Sequence, residues 1–370
     1  MKKELKIFNL LLGLFLLFYF MPLSSPLFIK AILSGFEFLN EYARKHVLTC
    51  LIPAFFIAGA ISVFVKKDYI LRYLGSSAKK YIAYSLASIS GAILAVCSCT
   101  ILPLFAGIRK RGAGLGPAAT FLFAGPAINI AAMFLTISVL GIKIGLARII
   151  GAIVISILIG LTMQGIFREK SEGQELITEK AEEVKVGKKV LAIFFISMIG
   201  VLIVNGLQIN SVIKFSLMAL LALITAGLAI FKFHKETTKE WLGETWDFTK
   251  SLLPILFIGV YVAGFIMPLL PRNIIVSLAG SNSILGNFTA SIFGAFMYFS
   301  TLTEIPILQA FMTKGMSQGP ALALLLAGPS LSLPSMLVIR KVLGNKRAFV
   351  YISLVIIYST IFGLIFGNII

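Results

Sequence analysis

The sequence predicts an all-α polytopic membrane protein made of two inverted-topology repeats, each with a re-entrant or broken helix near the bilayer midplane. Three observations support this fold class: an apolar composition, an internal duplication, and opposite charge in corresponding loops. Hydrophobic residues make up 58% of the 370 residues and charged residues only 13%, whereas about 25% of a typical soluble domain is charged. Apolar runs near the ~20 residues needed to cross a bilayer recur along the chain. We therefore expect a multi-pass protein of the cell membrane.

The positive charge follows the pattern of membrane topology. The net charge is +18, and the basic residues form short clusters between apolar runs, as at Lys79–Lys80 and Arg109–Arg111. Such clusters are typical of cytoplasmic loops. A nucleic-acid-binding protein would need a basic face on a soluble domain, and no polar segment is long enough to form one. We expect the lipid bilayer and a small-molecule substrate as partners and no nucleic acid, while the oligomeric state stays open.

The apolar segments give the expected order of elements. Ile7 to Leu23, after Lys2 and Lys3, is long for a signal peptide and lacks a clear cleavage site, so it predicts a first transmembrane helix with the N-terminus inside. Residues 27–45 have helical apolar spacing but end in "NEYARKH", which predicts an amphipathic helix at the membrane surface. The further apolar segments are 48–65, 82–108, 116–138, 144–166, 189–206, 212–231, 249–270, 284–311, 319–339 and 348–368.

A polar stretch divides the chain. Residues 167–188 carry interleaved Glu and Lys and few core-forming side chains, as in a solvated linker. We predict a first transmembrane repeat with the N-terminal helix at 1–166, a charged cytoplasmic linker at 167–188, and a second transmembrane repeat at 189–370.

The two halves repeat at a constant offset of 203 residues. The segment "RGAGLGPAATFLFAGPA" at 111–127 aligns with "KGMSQGPALALLLAGPS" at 314–330, so that Gly and Pro coincide at several positions. Upstream, Thr100 aligns with Thr303. Chance explains so many coincident Gly and Pro residues poorly, so the pattern indicates an internal duplication.

Corresponding loops carry opposite charge. The loop 66–80 has five Lys or Arg residues and its counterpart 271–283 has one, whereas 139–148 has two and its counterpart 340–347 has four. Under the positive-inside rule, this reversal indicates that the copies are inverted in the membrane.

The same rule predicts a re-entrant hairpin in each copy. A full crossing by 82–108 would place the basic cluster at 109–111 outside, whereas a hairpin that turns back near "CSCTILP" keeps it inside. The same treatment of 284–311 keeps 340–347 inside. The expected topology has nine full spans and two hairpins, with the N-terminus inside and the C-terminus outside. Eleven continuous spans are the alternative.

The candidate substrate site lies where two hairpin tips, 97–103 and 300–306, are expected to meet. Non-helical backbone is tolerated at membrane depth only where protein or a water-filled cavity covers it. The "AGP" motifs at 124–126 and 327–329 interrupt the next spans because proline removes a backbone N–H; kinks made only for packing are the alternative. Facing broken helices recur as transporter sites. The candidate substrate-site residues are Cys97, Cys99, Thr100, Pro103, Gly125, Pro126, Asn129, Ser300, Thr303, Gly328, Pro329, Ser330 and Ser332.

Two thiols and one carboxylate carry the candidate chemistry. Cys97 and Cys99 would point about 200° apart on a regular helix, so both reach one ligand only if the segment is unwound. Soft thiols suit a thiophilic species such as trivalent arsenic or copper(I); the alternative is that they are small buried hydrophobes. Glu304 stands where the first copy has Ile101, and an ionisable residue at that depth marks a functional site. We assign it proton coupling; a position nearer the outer surface, or a basic partner, is the alternative.

Motifs for several other functions are missing. The sequence has no G-x-x-x-x-G-K-[ST] phosphate loop and no H-E-x-x-H motif, and His46 and His234 both lie in polar flanks. This argues against ATP hydrolysis by that route and against intramembrane zinc proteolysis. We expect neither enzymatic activity nor a cofactor.

One stretch carries a family resemblance. Residues 97–129, "CSCTILPLFAGIRKRGAGLGPAATFLFAGPAIN", resemble the predicted-permease family that includes the bacterial organoarsenical efflux permeases. In that family a CSC-x-x-x-P segment, a basic-Gly turn and an AGPA-x-N segment follow one another. Thr100 stands where many relatives have Gly, which stiffens the turn. The resemblance implies Cys97 and Cys99 as thiol ligands, and it implies that the site is shaped by Pro103, Gly125, Pro126 and Asn129.

The expected function is therefore a secondary-active permease that works by alternating access and is driven by protons. The resemblance implies export, with trivalent methylated arsenicals as the substrate class and arsenic resistance as the role. Two other classes stay open: a membrane thiol relay that passes electrons through Cys97 and Cys99, and a non-transporting scaffold subunit. The coupling ion, and whether the protein is a channel or a carrier, also stay open.

Overall fold

The computed structural model describes residues 25–65, 67–75, 78–94, 98–167, 187–206, 210–269, 278–297 and 304–370, together with isolated positions among the first 24. These residues form helices and turns, with no strand among them, which confirms the all-α fold class. The helices of the N-terminal half are α1 (Pro26–Tyr42), which continues as a π-helix (Ala43–Leu51), α2 (Ile52–Phe64), α3 (Lys67–Leu74), α4 (Lys80–Leu94), α5 (Ser98–Lys110), α6 (Leu115–Ala127), α7 (Ile130–Leu140) and α8 (Ile142–Ile166). Those of the C-terminal half are α9 (Lys188–Gly206), α10 (Ser211–Phe231), α11 (Lys235–Ile266), α12 (Ile284–Phe296), α13 (Glu304–Thr313), α14 (Gln318–Ala327), α15 (Leu333–Leu343) and α16 (Asn345–Ile369).

The helix bounds repeat at the offset found in the sequence. Helices α4 to α8 correspond in order to α12 to α16, and the bounds of α7 and α8 plus 203 are those of α15 and α16. Their turns correspond as well. In the described chain, positive φ angles occur at Gly112 (95°) and Gly141 (93°), and at their counterparts Gly315 (107°) and Gly344 (82°). Glycine adopts this backbone conformation without strain, so the duplicated glycines fix the same turns in both copies.

Each copy contains a segment that returns to the end where it entered. Gly114, just beyond α5, donates its backbone N–H to the carbonyl of Leu74, shortly before α4 (2.7 Å). In the second copy, Ser317 donates in the same way to Ala279, shortly before α12 (3.0 Å). The two helices between these points are each too short to cross a bilayer of ~30 Å hydrocarbon thickness at 1.5 Å per residue. This is the geometry of a re-entrant hairpin.

The last helices of the two copies, α8 and α16, run antiparallel against each other. Phe167, just after α8 ends, lies against Arg347 near the start of α16, with the guanidinium carbon 5.9 Å from the ring centre. Nearer the start of α8, a Cβ added to Gly151 would lie 2.7 Å from the ring of Phe362, which is near the end of α16. Residue numbers therefore rise along one helix as they fall along the other.

Glycine pairs allow the closest helix crossings within each copy. A Cβ on Gly116 of α6 would lie 2.9 Å from the carbonyl oxygen of Gly160 in α8, and a Cβ on Gly319 of α14 would lie 2.8 Å from that of Gly363 in α16. Small residues of this kind bring the backbones of membrane helices together. Across the copies, α5 packs against α15 and α13 packs against α7. The second helix of each hairpin, α5 or α13, therefore contacts the broken span of the other copy.

Five of the described helices are long and apolar enough to cross a membrane, or six if the bent pair α6–α7 is one span. The chain is thus a multi-pass membrane protein, although nine spans were expected. The difference arises partly because 116–138 and 319–339 are each broken into two helices, and 7–23 lies largely outside the described residues. The helix predicted at 27–45 is present as α1. The division at 167–188 stays a prediction, because 168–186 lie outside the described residues.

Candidate functional site

The broken spans that carry the AGP motifs contact each other across the two copies. The first break separates α6 from α7, which are bent by 51°, and Asn129 caps α7 by accepting a hydrogen bond from the N–H of Ala132 (3.3 Å). The second separates α14 from α15, and Ser332 caps α15 in the same way. The hydroxyl of Ser330, in the second break, donates to the carbonyl of Phe123, near the first (3.4 Å). The second break therefore contacts the broken span of the first copy inside the protein, four residues before α6 ends.

The glycine of each AGP motif lies against the returning hairpin arm of its own copy. A Cβ on Gly125 would lie 2.5 Å from Cδ1 of Ile101, and a Cβ on Gly328 would lie 2.5 Å from Oε1 of Glu304. The absence of a side chain at each glycine thus makes room for the facing side chain. Two further predicted residues are buried beside these glycines: Pro126 and Pro329.

The returning arm of the first hairpin is more regular than expected, because 98–103 is helical. Cys99, Thr100 and Pro103 are buried on α5. Pro103 offers no N–H to the carbonyl four residues earlier, but one missing bond near a helix start leaves the buried helix intact. The hydroxyl of Thr100 lies 2.7 Å from the thiol of Cys50, in the π-helix, a contact that the sequence did not indicate. Three predicted site residues lie outside the described residues: Cys97, Ser300 and Thr303.

A buried charged pair joins the two copies. Nη2 of Arg148, on α8, lies 3.9 Å from Oε2 of Glu304, the first residue of α13, and both side chains are only 1% exposed. Nη1 of Arg148 donates to the hydroxyl of Thr136 (2.8 Å), which itself donates to the carbonyl of Ala132 (2.6 Å). Within the described residues, Nε and Nη2 of Arg148 and both carboxylate oxygens of Glu304 make no hydrogen bond. Ion attraction therefore links the pair without direct hydrogen bonding.

Arg148 corrects the sequence interpretation. It was counted as a charge of the loop 139–148, but the structure places it fully buried in the second turn of α8. The loop assignment was wrong because α8 starts at Ile142, so the second turn already lies in the interior. Its apolar neighbours in "GLARII" were the available signal, because an arginine inside an apolar membrane segment marks a functional position. Glu304 thus has a basic neighbour, Arg148, and its assignment to proton coupling stays a prediction.

The described residues show no cluster of metal-ligating side chains. No group of three or more His, Cys, Asp or Glu side chains among them could hold a metal ion. A cavity of about 290 Å³ lies between α2, α5, α6 and α9, but its lining is apolar and includes Ile57, Leu104, Phe121 and Phe195. Specific ligand sites need a few placed polar groups. The junction of the two breaks therefore remains the candidate functional site.

Comparison with known proteins places the chain in a family. The model of a predicted permease family matches residues 32–368. The chain belongs to this permease family. UPF0718 protein MJ0584 of Methanocaldococcus jannaschii is 44% identical to this permease over 340 residues, covering 88% of this chain and 93% of the relative. UPF0718 protein YraQ of Escherichia coli K12 is 25% identical over 308 residues, covering 83% and 73%. No solved structure matches the permease.

Family membership confirms the resemblance carried by residues 97–129. It indicates a membrane permease, and so a transporter rather than an enzyme. The names of the relatives specify no substrate.

Proposed function

We propose that this permease exports a small substrate by alternating access of two inverted repeats, through a site where the two helix breaks meet. The contact between Ser330 and Phe123 carries the proposal, because it joins the broken spans of the two copies. Glu304 lies against Gly328 of the second break, so a titratable group borders the same junction. Broken helices that face each other across a repeat interface recur as the substrate sites of secondary transporters.

The antiparallel packing of α8 and α16 supports inversion of the copies. Corresponding helices of two copies run parallel when the repeat axis follows the membrane normal, and antiparallel when the axis lies in the membrane plane. Single cysteines at positions 110 and 314, in a cysteine-free protein, should react with an impermeant maleimide from opposite faces. Inversion with the predicted topology requires position 110 inside and position 314 outside. Labelling of both from one face would exclude inverted copies.

A trivalent organoarsenical is the proposed substrate, because soft thiols bind thiophilic species. Cys99 is buried at the start of α5 beside Thr100, on the hairpin arm that packs against the broken span of the second copy. Cys97, the other proposed ligand, precedes it by two residues. Glu304 is the proposed site of proton coupling, since it is a carboxyl group that borders the second helix break.

Uptake of trivalent methylarsenite into everted membrane vesicles tests the substrate proposal. We expect concentrative uptake by the wild type and its loss in the Cys97→Ser/Cys99→Ser double variant at equal protein levels. Cys50→Ser is the matched control, because it removes the neighbouring thiol outside the CSC motif and should retain uptake. Equal uptake by all three proteins would support export of the arsenical but would show that Cys97 and Cys99 are not its ligands. Absence of uptake by the wild type would exclude the organoarsenical.

A further inference from the structure

The link between Arg148 and Glu304 is a buried ion pair that is incompletely satisfied. Its charged atoms are 3.9 Å apart and both side chains are 1% exposed. A buried ion pair offsets its loss of hydration only with close geometry and with hydrogen bonds to the remaining donors and acceptors. Among the described residues, the hydrogen bond from Arg148 to Thr136 is the one that this pair makes. Because charge attraction and no direct hydrogen bond holds Arg148 to Glu304, removal of either charge should let the two side chains separate.

We propose that Arg148 is the coupling partner of Glu304, and that the two residues form a proton-operated link between the copies. With Glu304 ionised, the attraction holds α8 of the first copy to α13 of the second. When a proton binds the carboxylate, Glu304 becomes a neutral acid and the attraction ends, while Arg148 stays on Thr136. The helices carrying the two residues can then move apart. This inference rests on the proposed transport function and adds Arg148 to its mechanism.

Among the described residues, Arg148 is the charged group that lies beside Glu304 and can influence its ionisation. Among the described helices, α13 packs against α7 and α14, and its Phe311 contacts Phe293 of α12. None of these three helices contains a titratable residue. On α8, the other charged residue, Lys143, is exposed. Three groups on neighbouring elements contact the opposite end of α8, far along the helix from Arg148: Tyr84 at Gln164, Tyr358 at Thr162 and Arg347 at Phe167.

The duplication gives the chain one such link in place of two. At the offset of 203, Arg148 corresponds to Tyr351 and Glu304 corresponds to Ile101. Tyr351 and Ile101 therefore cannot form an ion pair at neutral pH, and this pair of positions offers no carboxylate to bind a proton. The duplicated positions therefore supply one link of this kind, and Tyr351 offers a control position that is buried to the same extent as Arg148.

Labelling of Glu304 by a hydrophobic carbodiimide, which reacts with protonated carboxyl groups, tests the link without any substrate. The full-length protein in proteoliposomes would be labelled across a range of pH and the Glu304 peptide quantified by mass spectrometry. An opposite charge favours the ionised form of a carboxyl group. We therefore expect Arg148→Met to extend labelling to more alkaline pH than in the wild type, whereas Tyr351→Phe leaves the profile unchanged. An identical profile in the wild type and Arg148→Met would overturn the proposal.

Transport by the Arg148→Met/Glu304→Gln double variant gives the second measurement, with methylarsenite as the probe. Removal of both charges should restore the stability and exchange that are reduced in the single variants, but the ratio of uptake with and without a pH gradient should fall from several-fold to about 1. If the pH gradient still stimulated uptake by the double variant, the pair would be only a structural contact and the proposal would be wrong. Failure of the wild type to transport methylarsenite would reject that substrate, while the labelling profiles would still decide the link.

Discussion

The two copies share their scaffold and differ in their charged residues. Both have glycines at the same turns and at the same close helix crossings, and both close a hairpin with a backbone hydrogen bond. At the junction, however, the first copy supplies Arg148 where the second has Tyr351, and the second supplies Glu304 where the first has Ile101. The comparison shows that duplication preserved what builds the fold, while the chemistry was placed in one of two equivalent positions.

Stability alone does not explain why the charged pair persists. Replacing a buried ion pair by well-packed apolar residues is often neutral or stabilising, and the equivalent positions hold a largely apolar pair, Ile101 of the first copy and Tyr351 of the second. The hydroxyl of Tyr351 is buried and makes no hydrogen bond within the described residues. A charged pair at Arg148 and Glu304 therefore fits a functional requirement better than a packing requirement.

The largest effect is expected from removing the Arg148 side of the charged pair, compared with a change at the equivalent position Tyr351. Arg148→Met should destabilise the protein by about 3–5 kcal/mol, because it leaves a buried charge without its partner. Tyr351→Phe, the same helix position in the other copy, removes a hydroxyl that makes no described hydrogen bond, so the melting temperature should stay near that of the wild type. Thermal unfolding in detergent measures both variants. Equal losses in the two variants would show that both positions act through packing.

A smaller effect tests the shared scaffold. Gly116→Ala and Gly319→Ala each place a methyl group within 3 Å of a facing backbone carbonyl, and overpacking of this kind destabilises by about 1–3 kcal/mol. Because the crossings correspond, we expect the two melting temperatures to fall by similar amounts. Gly165→Ala, where an added Cβ meets no atom within 4 Å, is the control. A loss confined to one copy would show that the scaffold is not equally tight in both.

The sequence predicted the scaffold better than the charged link, for a physical reason. Glycine and proline fix turns and breaks locally, so their repetition at one offset predicted which helices would correspond. The contact between Arg148 and Glu304 depends on how two copies pack, 156 residues apart in the chain, and no local pattern encodes that distance. Thr100 and Cys50 meet for the same tertiary reason. The sequence could identify Glu304 from its apolar setting, but not its partner.

A subtler difference should separate the two AGP motifs. Gly328→Ala would displace the carboxylate of Glu304, whereas Gly125→Ala would displace the end of the Ile101 side chain. An isoleucine can change rotamer among apolar neighbours, but the carboxylate must move relative to Arg148. We expect Gly328→Ala to be the less stable variant by about 1 kcal/mol, near the lower bound of overpacking losses. It should also alter carbodiimide labelling of Glu304, which Gly125→Ala should leave unchanged.

The smallest effect concerns a difference between the two hairpins at the ends farthest from their tips. Lys110, the last residue of α5, donates to Oε1 of Glu244 on α11 (2.6 Å), whereas the equivalent position of the second copy is Thr313. The lysine is half exposed, and ion pairs of this kind contribute about 0.2–1 kcal/mol and weaken with salt. Lys110→Ala should therefore lower the melting temperature slightly at low ionic strength and not at high ionic strength. Lys250→Ala, which breaks a pair within α11 itself, is the control that joins no hairpin. A loss in Lys110→Ala that persisted in high salt would contradict a screened ion pair and would point to the contact of Nζ with the Phe248 ring, whose centre is 5.7 Å away.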